Sequence, residues 1–468
     1  MTSRVSLHRL GRHSTPDSIE VSCGIFDLNH GGRTYRVMVD CGLAPHKVGD
    51  KPWTGPDFSL LADGRKIDAV LITHVHADHV GFMPAIVPYL GPKARIWMTR
   101  TSETMIAHIL EDSLKIYQRE KIAGPYSRTQ YELAMQRVQT LGRPGPVEIL
   151  PGLKVLFHPA GHIPGACSYT FRVGRSHIHY SGDRCEHDQP GVLGATPLPR
   201  DWRRNIILAG TDCTYGAEPD SDQRFWMDEM DRCETLIREA MYRGKPTLIF
   251  TFGVHRGGAI AHELARRGVA DETRVYLDGS CRTLSRSMRN AKSFWSPNET
   301  LVDFGQVQEI AKHSDRVEAI SWGGPYVVIA SPGMGGPGGA AMFWRKRILE
   351  DPGALAMFTG FVAPDTDGSR IKKAADGGVK TLELASINFD GTRSKETITV
   401  ACQVEQVRLG AHQSRTTILD SIRELQPSAV VLNHGSEAAL ESLRAELSTD
   451  LSCDFYPTHV SPDVEIDL

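Results

Sequence analysis

The chain has 468 residues, is 40% hydrophobic and carries a formal net charge of −3. That length fills about two or three domain cores, and the near-neutral balance excludes a histone-like general polyanion binder, although bound divalent cations would add positive charge that the formal count omits. The nine cysteines are scattered with no C-x-x-C pair, which argues against a disulfide framework or a thiolate zinc finger.

The opening stretch MTSRVSLHRLGRHSTPDS has no apolar run of signal-peptide length, and no later run is long enough to cross a bilayer. A cytoplasmic chain with no membrane partner is expected. Short strands then follow one another: VSCGIFDLN, RTYRVMVDCG, DAVLITH, ARIWMT, KVLFHPAG, SYTFRV and HIHYSGD. One helical stretch interrupts them, from about Ser102 to Leu141. After Asp201 the texture changes to alternation: IILAG, a helix from about Asp222 to Arg243, TLIFTFG, a helix from His255 to Arg267, and RVYLDG. Strands and helices alternating at this spacing predict a parallel, doubly wound unit. The strand YVVIA runs into the glycine-rich loop SPGMGGPGGAA at 331–341 and a helix bearing Arg345, Lys346 and Arg347, a basic run that is a candidate for phosphate contact. So are Arg282, Arg286 and Arg289, which would share one helix face and are read first as a solvated basic face. ETITVACQVEQV, a helix from about Ser414 to Leu425, the strand AVVLNHG and a final helix complete the order.

The densest chemistry follows the apolar strand Ala69–Ile72, where His74-Val75-His76-Ala77-Asp78-His79 packs three imidazoles and a carboxylate into six positions. In extended backbone His74 and His76 point to one side and can share one cation, leaving Asp78 and His79 for a second. Left without metal, so many ligand-type side chains would repel or stay unsatisfied. More polar residues close later strands: Asp40 after RVMV, His162 in PAGH, Asp183 in YSGD, Asp212 in AGTD, His412 in LGAH and His434 in VLNH. The carboxyl ends of strands are where α/β folds collect their sites. His158, His177, His179 and His187 are read as structural residues rather than ligands.

These segments resemble the β-CASP family of metallo-β-lactamase-fold nucleases, which includes the cleavage and polyadenylation specificity factor nuclease and ribonuclease J. MVDCGL, HVHADH, AGHIPGA and YSGD are similar to the family's first four motifs, and TDCTYG, GAH and LNHG to its motifs A, B and C. The likeness spans nearly the whole chain. It implies an α/β protein in which a metallo-β-lactamase αββα sandwich (1–208 and 400–468) carries an inserted doubly wound β-CASP domain (209–399). It also implies the ligand set: His74, His76 and His162 for one metal, Asp78, His79 and His434 for the other, and Asp183 bridging. Nitrogen and oxygen donors without thiolate suit two zinc ions, with manganese the alternative. Asp40 resembles the carboxylate that orients a ligand histidine without touching metal.

The chemistry so implied is attack on phosphorus by a hydroxide shared between the metals. His412, held by Asp212, protonates the departing sugar oxygen, leaving a 5′-phosphate and a 3′-hydroxyl. Arg256, Ser331, Gly333 and Met334 match the family's substrate-phosphate contacts. His434 follows the pattern of RNA-cleaving members, whereas Asp212 follows that of DNA-cleaving ones, so RNA is the expected substrate and DNA the alternative. A small ester or thioester hydrolase is a further rival, since it would use the same metals. Expected partners are RNA and either a second copy of the chain or a larger complex.

Overall fold

Runs of buried apolar residues build most of the central strands, and several helices begin on hydroxyl caps. In the computed structural model, Thr99 accepts a hydrogen bond from the Ser102 amide to start the helix Arg100–Arg119, and Ser127 forms a reciprocal capping box with Gln130 at Arg128–Met135. The described residues are 4–11, 21–44, 53–219, 226–289, 304–364, 366–377, 380–387, 392–461 and 463–467. They divide into two units by contact: Met1–Asp188, Val192–Gln223 and Ala411–Leu468 in the first, Gln189–Gly191 and Arg224–Gly410 in the second.

The first unit is built on two seven-stranded sheets. One runs from edge to edge as Asp463–Asp467, Arg4–Arg9, Gly24–His30, Arg33–Val39, Ile67–Leu71, Leu90–Thr99 and Val138–Leu141. The other runs as Asp454–Pro457, Ala429–Leu432, Ile206–Gly210, Ser176–Tyr180, Cys167–Val173, Leu153–Pro159 and Gly145–Leu150. Phe26 of the first sheet meets Phe171 of the second at 5.4 Å between ring centroids, and the Tyr169 hydroxyl donates to the Ile72 carbonyl at 2.8 Å. The sheets therefore pack face to face. Ile418 and Ile422 of Arg415–Leu425 and Leu440, Leu443 and Leu447 of Glu437–Asp450 cover the outer face of the second sheet against Leu208, Val430 and Leu432. Met105, Ile106 and Leu110 bury one face of Arg100–Arg119, which packs on the first sheet. This is the expected αββα sandwich.

The second unit centres on six parallel strands in the order Gln308–Ile310, Arg274–Asp278, Tyr326–Ala330, Thr247–Phe250, Leu355–Phe358 and Gln403–Gln406. Ile249, Leu277 and Met357 face one helix layer, while Leu248, Tyr276 and Ala356 face the other. That alternation is the mark of a doubly wound sheet buried on both sides. Because Gln403–Gln406 pairs with Leu355–Phe358, the chain stays in this unit past residue 400. Among the described residues no helix is long and apolar enough to cross a membrane.

Several elements differ from the sequence expectations. The helix expected over 102–141 is two helices, separated by a turn where Lys121 takes a positive φ of 55° and Gly124 and Pro125 follow, and Val138–Leu141 is an edge strand. ETITVACQVEQV divides: Arg393–Thr399 forms a hairpin with Thr381–Ile387, and Gln403–Gln406 joins the parallel sheet. The helix expected from Asp222 is described from Trp226, its earlier residues lying outside the described set. Of the basic run after the glycine-rich loop, Arg345 is fully buried, donating to the Gly335 and Ala385 carbonyls and pairing with Asp367 and Glu396. It is a structural cation, not a phosphate contact. Arg286 and Arg289 likewise pair with Glu309, at 2.5 and 2.7 Å.

Candidate metal centre

The site forms where strands of both sheets in the first unit end. Ile67–Leu71 delivers His74, and the one-turn helix Ala77–Val80 swings Asp78 and His79 back toward it. Asp183 follows Ser176–Tyr180, Asp212 follows Ile206–Gly210 and His434 follows Ala429–Leu432. Two of the residues stand in the left-handed region, Asp40 at φ 59° and His434 at φ 54°. Such backbone costs about 1–3 kcal/mol per residue and persists where the surroundings over-determine it.

The sequence-predicted residues converge. His74, His76, His162 and Asp183 each offer a ligand atom within 4.8 Å of the others, as do Asp78, His79 and His434. Asp183 divides its oxygens between the groups: Oδ2 lies 3.5 Å from Nε2 of both His74 and His162, and Oδ1 lies 3.2 Å from His79 Nε2 and from His434 Nδ1. Yet Oδ1 is buried and, among the described residues, accepts no hydrogen bond. Imidazole nitrogens face one another at 3.2 Å for His74–His76, 3.0 Å for His162–His76 and 3.2 Å for His79–His434. Lone pairs at such spacing repel unless a cation or a proton lies among them, and burial raises that cost. The donor set fits metal: a buried nest of nitrogens and carboxylate oxygens, without thiolate.

Charge points the same way. Burial, reinforced by neighbouring imidazoles, pushes His74 and His162 well below the usual histidine range, so both offer lone pairs. His76 falls to about 4, with burial the largest cause. Burial would also lower His79, but Asp183 and Asp40 outweigh it and push it up to about 10. His434 is raised by Asp183, Asp212 and Asp78 in the same contest. Asp78 and Asp183 sit well below the carboxylate range because the imidazoles outweigh desolvation. These carboxylates call for positive charge, which protons on His79 and His434 or divalent cations in their place can supply.

Supporting bonds aim the candidate ligands. His162 donates from Nδ1 to the Ala411 carbonyl at 2.7 Å, and His79 from Nδ1 to Asp40 at 2.8 Å, which leaves each Nε2 facing the site. Asp40, fully buried, also accepts from the Thr73 amide and hydroxyl, both at 2.8 Å, and from the Ser22 hydroxyl at 3.2 Å. Ser22 in turn meets the Tyr180 hydroxyl at 3.0 Å, which accepts from Arg9 at 3.3 Å. Sequence reasoning found Asp40 but not this chain of supports, because Tyr180 stands 158 residues from Ser22 and no motif joins them.

Beside the candidate ligands His412 donates from Nδ1 to Asp212 at 2.8 Å. Asp212 is nearly fully buried and accepts also from the Arg184 amide at 2.9 Å and the Thr214 amide and hydroxyl at 3.1 and 2.7 Å. The His412 imidazole is raised: burial opposes, but the Asp212 carboxylate prevails. Its ring lies 4.5 Å from that of His162 and 6.0 Å from that of His434. Thr214, which the sequence reading missed, also reaches His412 and His434 at 3.2 and 3.3 Å; the signal was a hydroxyl two positions after the acid in TDCT. His158, His177 and His179 stay apart from these groups. His177 bonds to the Arg204 carbonyl at 2.8 Å and His179 to Thr170 at 2.9 Å.

The four substrate-contact candidates lie in the second unit. Arg256 opens the helix Arg256–Arg266 and donates to Gln189 at 3.2 Å. Ser331 precedes a cis proline and shares a 2.6 Å hydrogen bond with Ser280. Gly333 packs on the Thr251–Phe252 backbone, and the Met334 carbonyl accepts from the Gly368 amide at 2.8 Å.

Comparison with known proteins agrees with this geometry. Residues 35–195 match the model of a β-lactamase superfamily domain, and residues 397–460 that of a Zn-dependent metallo-hydrolase RNA specificity domain. Together the matched spans contain all the converging residues except Asp212. The chain is 26% identical to transcription termination factor FttA of Methanothermobacter thermautotrophicus over 86% of its own length and 63% of the relative's. It is 22% identical to cleavage and polyadenylation specificity factor 73 of Drosophila melanogaster over 90% and 59%, respectively. The chain thus spans less than two thirds of each of these relatives. A crystal structure of a protein of unknown function from Enterococcus faecalis V583 shares the fold, with a TM-score of 0.59 at 13% identity and full coverage of both chains.

Proposed function

This chain belongs to the β-CASP family of metallo-β-lactamase-fold proteins, and from that premise we propose that it hydrolyses phosphodiester bonds in RNA, using two zinc ions. The observation that carries the reading is Asp183, whose two oxygens each face a different group of imidazoles. A carboxylate so divided could be shared by two cations. His74, His76 and His162 would hold one ion, Asp78, His79 and His434 the other, with Asp183 between them and Asp40 fixing His79. Bound divalent ions supply Lewis acidity for the phosphoryl oxygens and acidify water at neutral pH.

The chain's own residues supply the rest. His412, whose protonated form the Asp212 carboxylate favours, would hand a proton from its outward nitrogen to the departing 3′ oxygen, and the buried carboxylate stabilises the charge on the ring until that transfer. The remaining donors on Asp212 hold it in place, so the pair needs no rearrangement as the bond breaks. By the resemblance to the family, Arg256, Ser331, Gly333 and Met334 are assigned to substrate phosphates. RNA is favoured by the RNA-specificity match over 397–460 and by the names of the two relatives. DNA is the second reading, favoured by aspartate rather than glutamate at position 212. The chemistry allows either, because water as nucleophile needs no 2′-hydroxyl.

The test is mass spectrometry of products from matched RNA and DNA oligonucleotides cut by zinc-loaded protein. A 5′-phosphate and a 3′-hydroxyl from RNA are expected. A 2′,3′-cyclic phosphate would show that a ribose hydroxyl attacked and would refute the mechanism.

A further inference from the structure

In the second unit three neighbouring parallel strands release their chains at the same edge. Tyr326–Ala330 leads into Ser331, Thr247–Phe250 into Phe252, and Leu355–Phe358 into Phe361. Such carboxyl ends are where parallel α/β sheets receive ligands. Phe252 is 37% exposed and Phe361 56% exposed, while the phenylalanines that end the strands themselves, Phe250 and Phe358, are fully buried.

Two glycines come close to one edge of the Phe252 ring, at Cδ2 and Cε2. A Cβ at Gly360 would come 2.9 Å from the ring, and one at Gly333 would come 3.3 Å from the ring and 3.1 Å from the Phe252 amide nitrogen. A Cβ at Gly360 would force the ring to shift and one at Gly333 would crowd it, so that edge of the ring sits close against both the Ser331–Met334 loop and the segment that carries Phe361. The same segment touches the loop again, because the Gly368 amide donates to Met334 and a Cβ on Gly368 would come 3.0 Å from Val362. A ring this constrained loses little entropy on binding a flat partner.

Positive charge lies one residue layer away. The Gln406 side chain donates to the Gly360 carbonyl at 2.9 Å and accepts from Lys372. Lys372 is lowered, by burial first and with exposed Arg408 contributing. Asp376 balances part of this charge.

We propose that Phe252 and Phe361 form a stacking platform for two unpaired bases of a single-stranded nucleic acid, with Lys372 and Arg408 taking neighbouring backbone phosphates. The proposal rests on the phosphodiesterase reading above and deepens it by naming how the substrate is held: by base faces, without sequence readout. It implies that duplexes must open before they bind.

The test is fluorescence anisotropy with a short 5′-labelled RNA and with the same backbone carrying abasic residues at successive positions. Wild-type protein is expected to lose affinity on the order of tenfold when the stacked bases are removed. Phe361→Ala, a surface change, is expected to lose a similar factor and to bind intact and abasic strands alike, while Phe361→Tyr keeps the preference. Equal binding of both strands by wild-type protein, or unchanged binding by Phe361→Ala, overturns the platform. A change in oligomeric state of Phe361→Ala by sedimentation, with RNA binding intact, would assign the surface to a second copy and overturn it too. Turnover of bis(p-nitrophenyl) phosphate by zinc-loaded wild type tests the parent reading separately, because that substrate has no bases to stack.

Discussion

Replacing His412 by alanine removes the proposed proton donor and leaves every proposed metal ligand in place. The donor's strength comes from Asp212, which sits 2.8 Å from His412 Nδ1 in a nearly water-free position and is held by the Arg184 and Thr214 donors. A positioned general acid contributes about 10²- to 10⁴-fold, which at 1.36 kcal/mol per decade is about 3–5 kcal/mol of transition-state stabilisation. Single-turnover cleavage of an RNA should slow by that factor in His412→Ala. The same variant should be nearly unimpaired on a strand whose scissile 3′ oxygen is replaced by sulfur, because a thiolate departs without protonation. Comparing the two substrates isolates the proton transfer from any disturbance of the metals. An equal loss on both would show that His412 organises the site in some other way and would refute its assignment as the acid.

Three further outcomes follow from the same geometry. Asp212→Asn removes the carboxylate that raises His412, so the ring loses its proton at lower pH and the alkaline limb of the cleavage profile moves toward acid; an unmoved limb contradicts the pairing. Zinc must displace protons from His79, pushed up to about 10, and from the raised His434, so affinity should climb as pH rises from 6 toward 9. Calorimetry in buffers of different ionisation enthalpy should therefore detect proton release, and pH-independent binding would contradict the charge balance described here. Arg345→Ala strands Asp367 and Glu396 without their buried cation, which costs about 3–5 kcal/mol. Denaturant unfolding should show that loss, while the salt dependence of RNA binding stays as in wild type; the opposite pattern would return Arg345 to the phosphate-binding surface.

The two units were legible to different depths. His74, His76, Asp78 and His79 stand in one six-residue run after a strand, so local spacing alone pointed to a cluster able to hold metal. The alternation after Asp201 identified the parallel sheet for the same reason, since the pattern of each strand and helix is local. What eluded the sequence depends on partners far away. Arg345 looks like one member of a solvated basic run, and only the fold brings Asp367 and Glu396 to it. Ser22, Tyr180 and Arg9 carry no motif, yet they complete the environment of Asp40. Arg4–Arg9 and the edge strand Asp463–Asp467 escaped because polar and charged residues alternate with few apolar ones in each, and they pair across nearly the whole length of the chain. Phe252 and Phe361 read as ordinary apolar residues near strand ends until their exposure and their glycine seats are known.

The most direct test of the central claim is anomalous scattering at the zinc edge from crystals of the metal-loaded protein. Two peaks are expected, one among His74, His76 and His162 and one among Asp78, His79 and His434, with Asp183 between them. A single peak, or metal bound only elsewhere on the chain, would contradict the two-metal account.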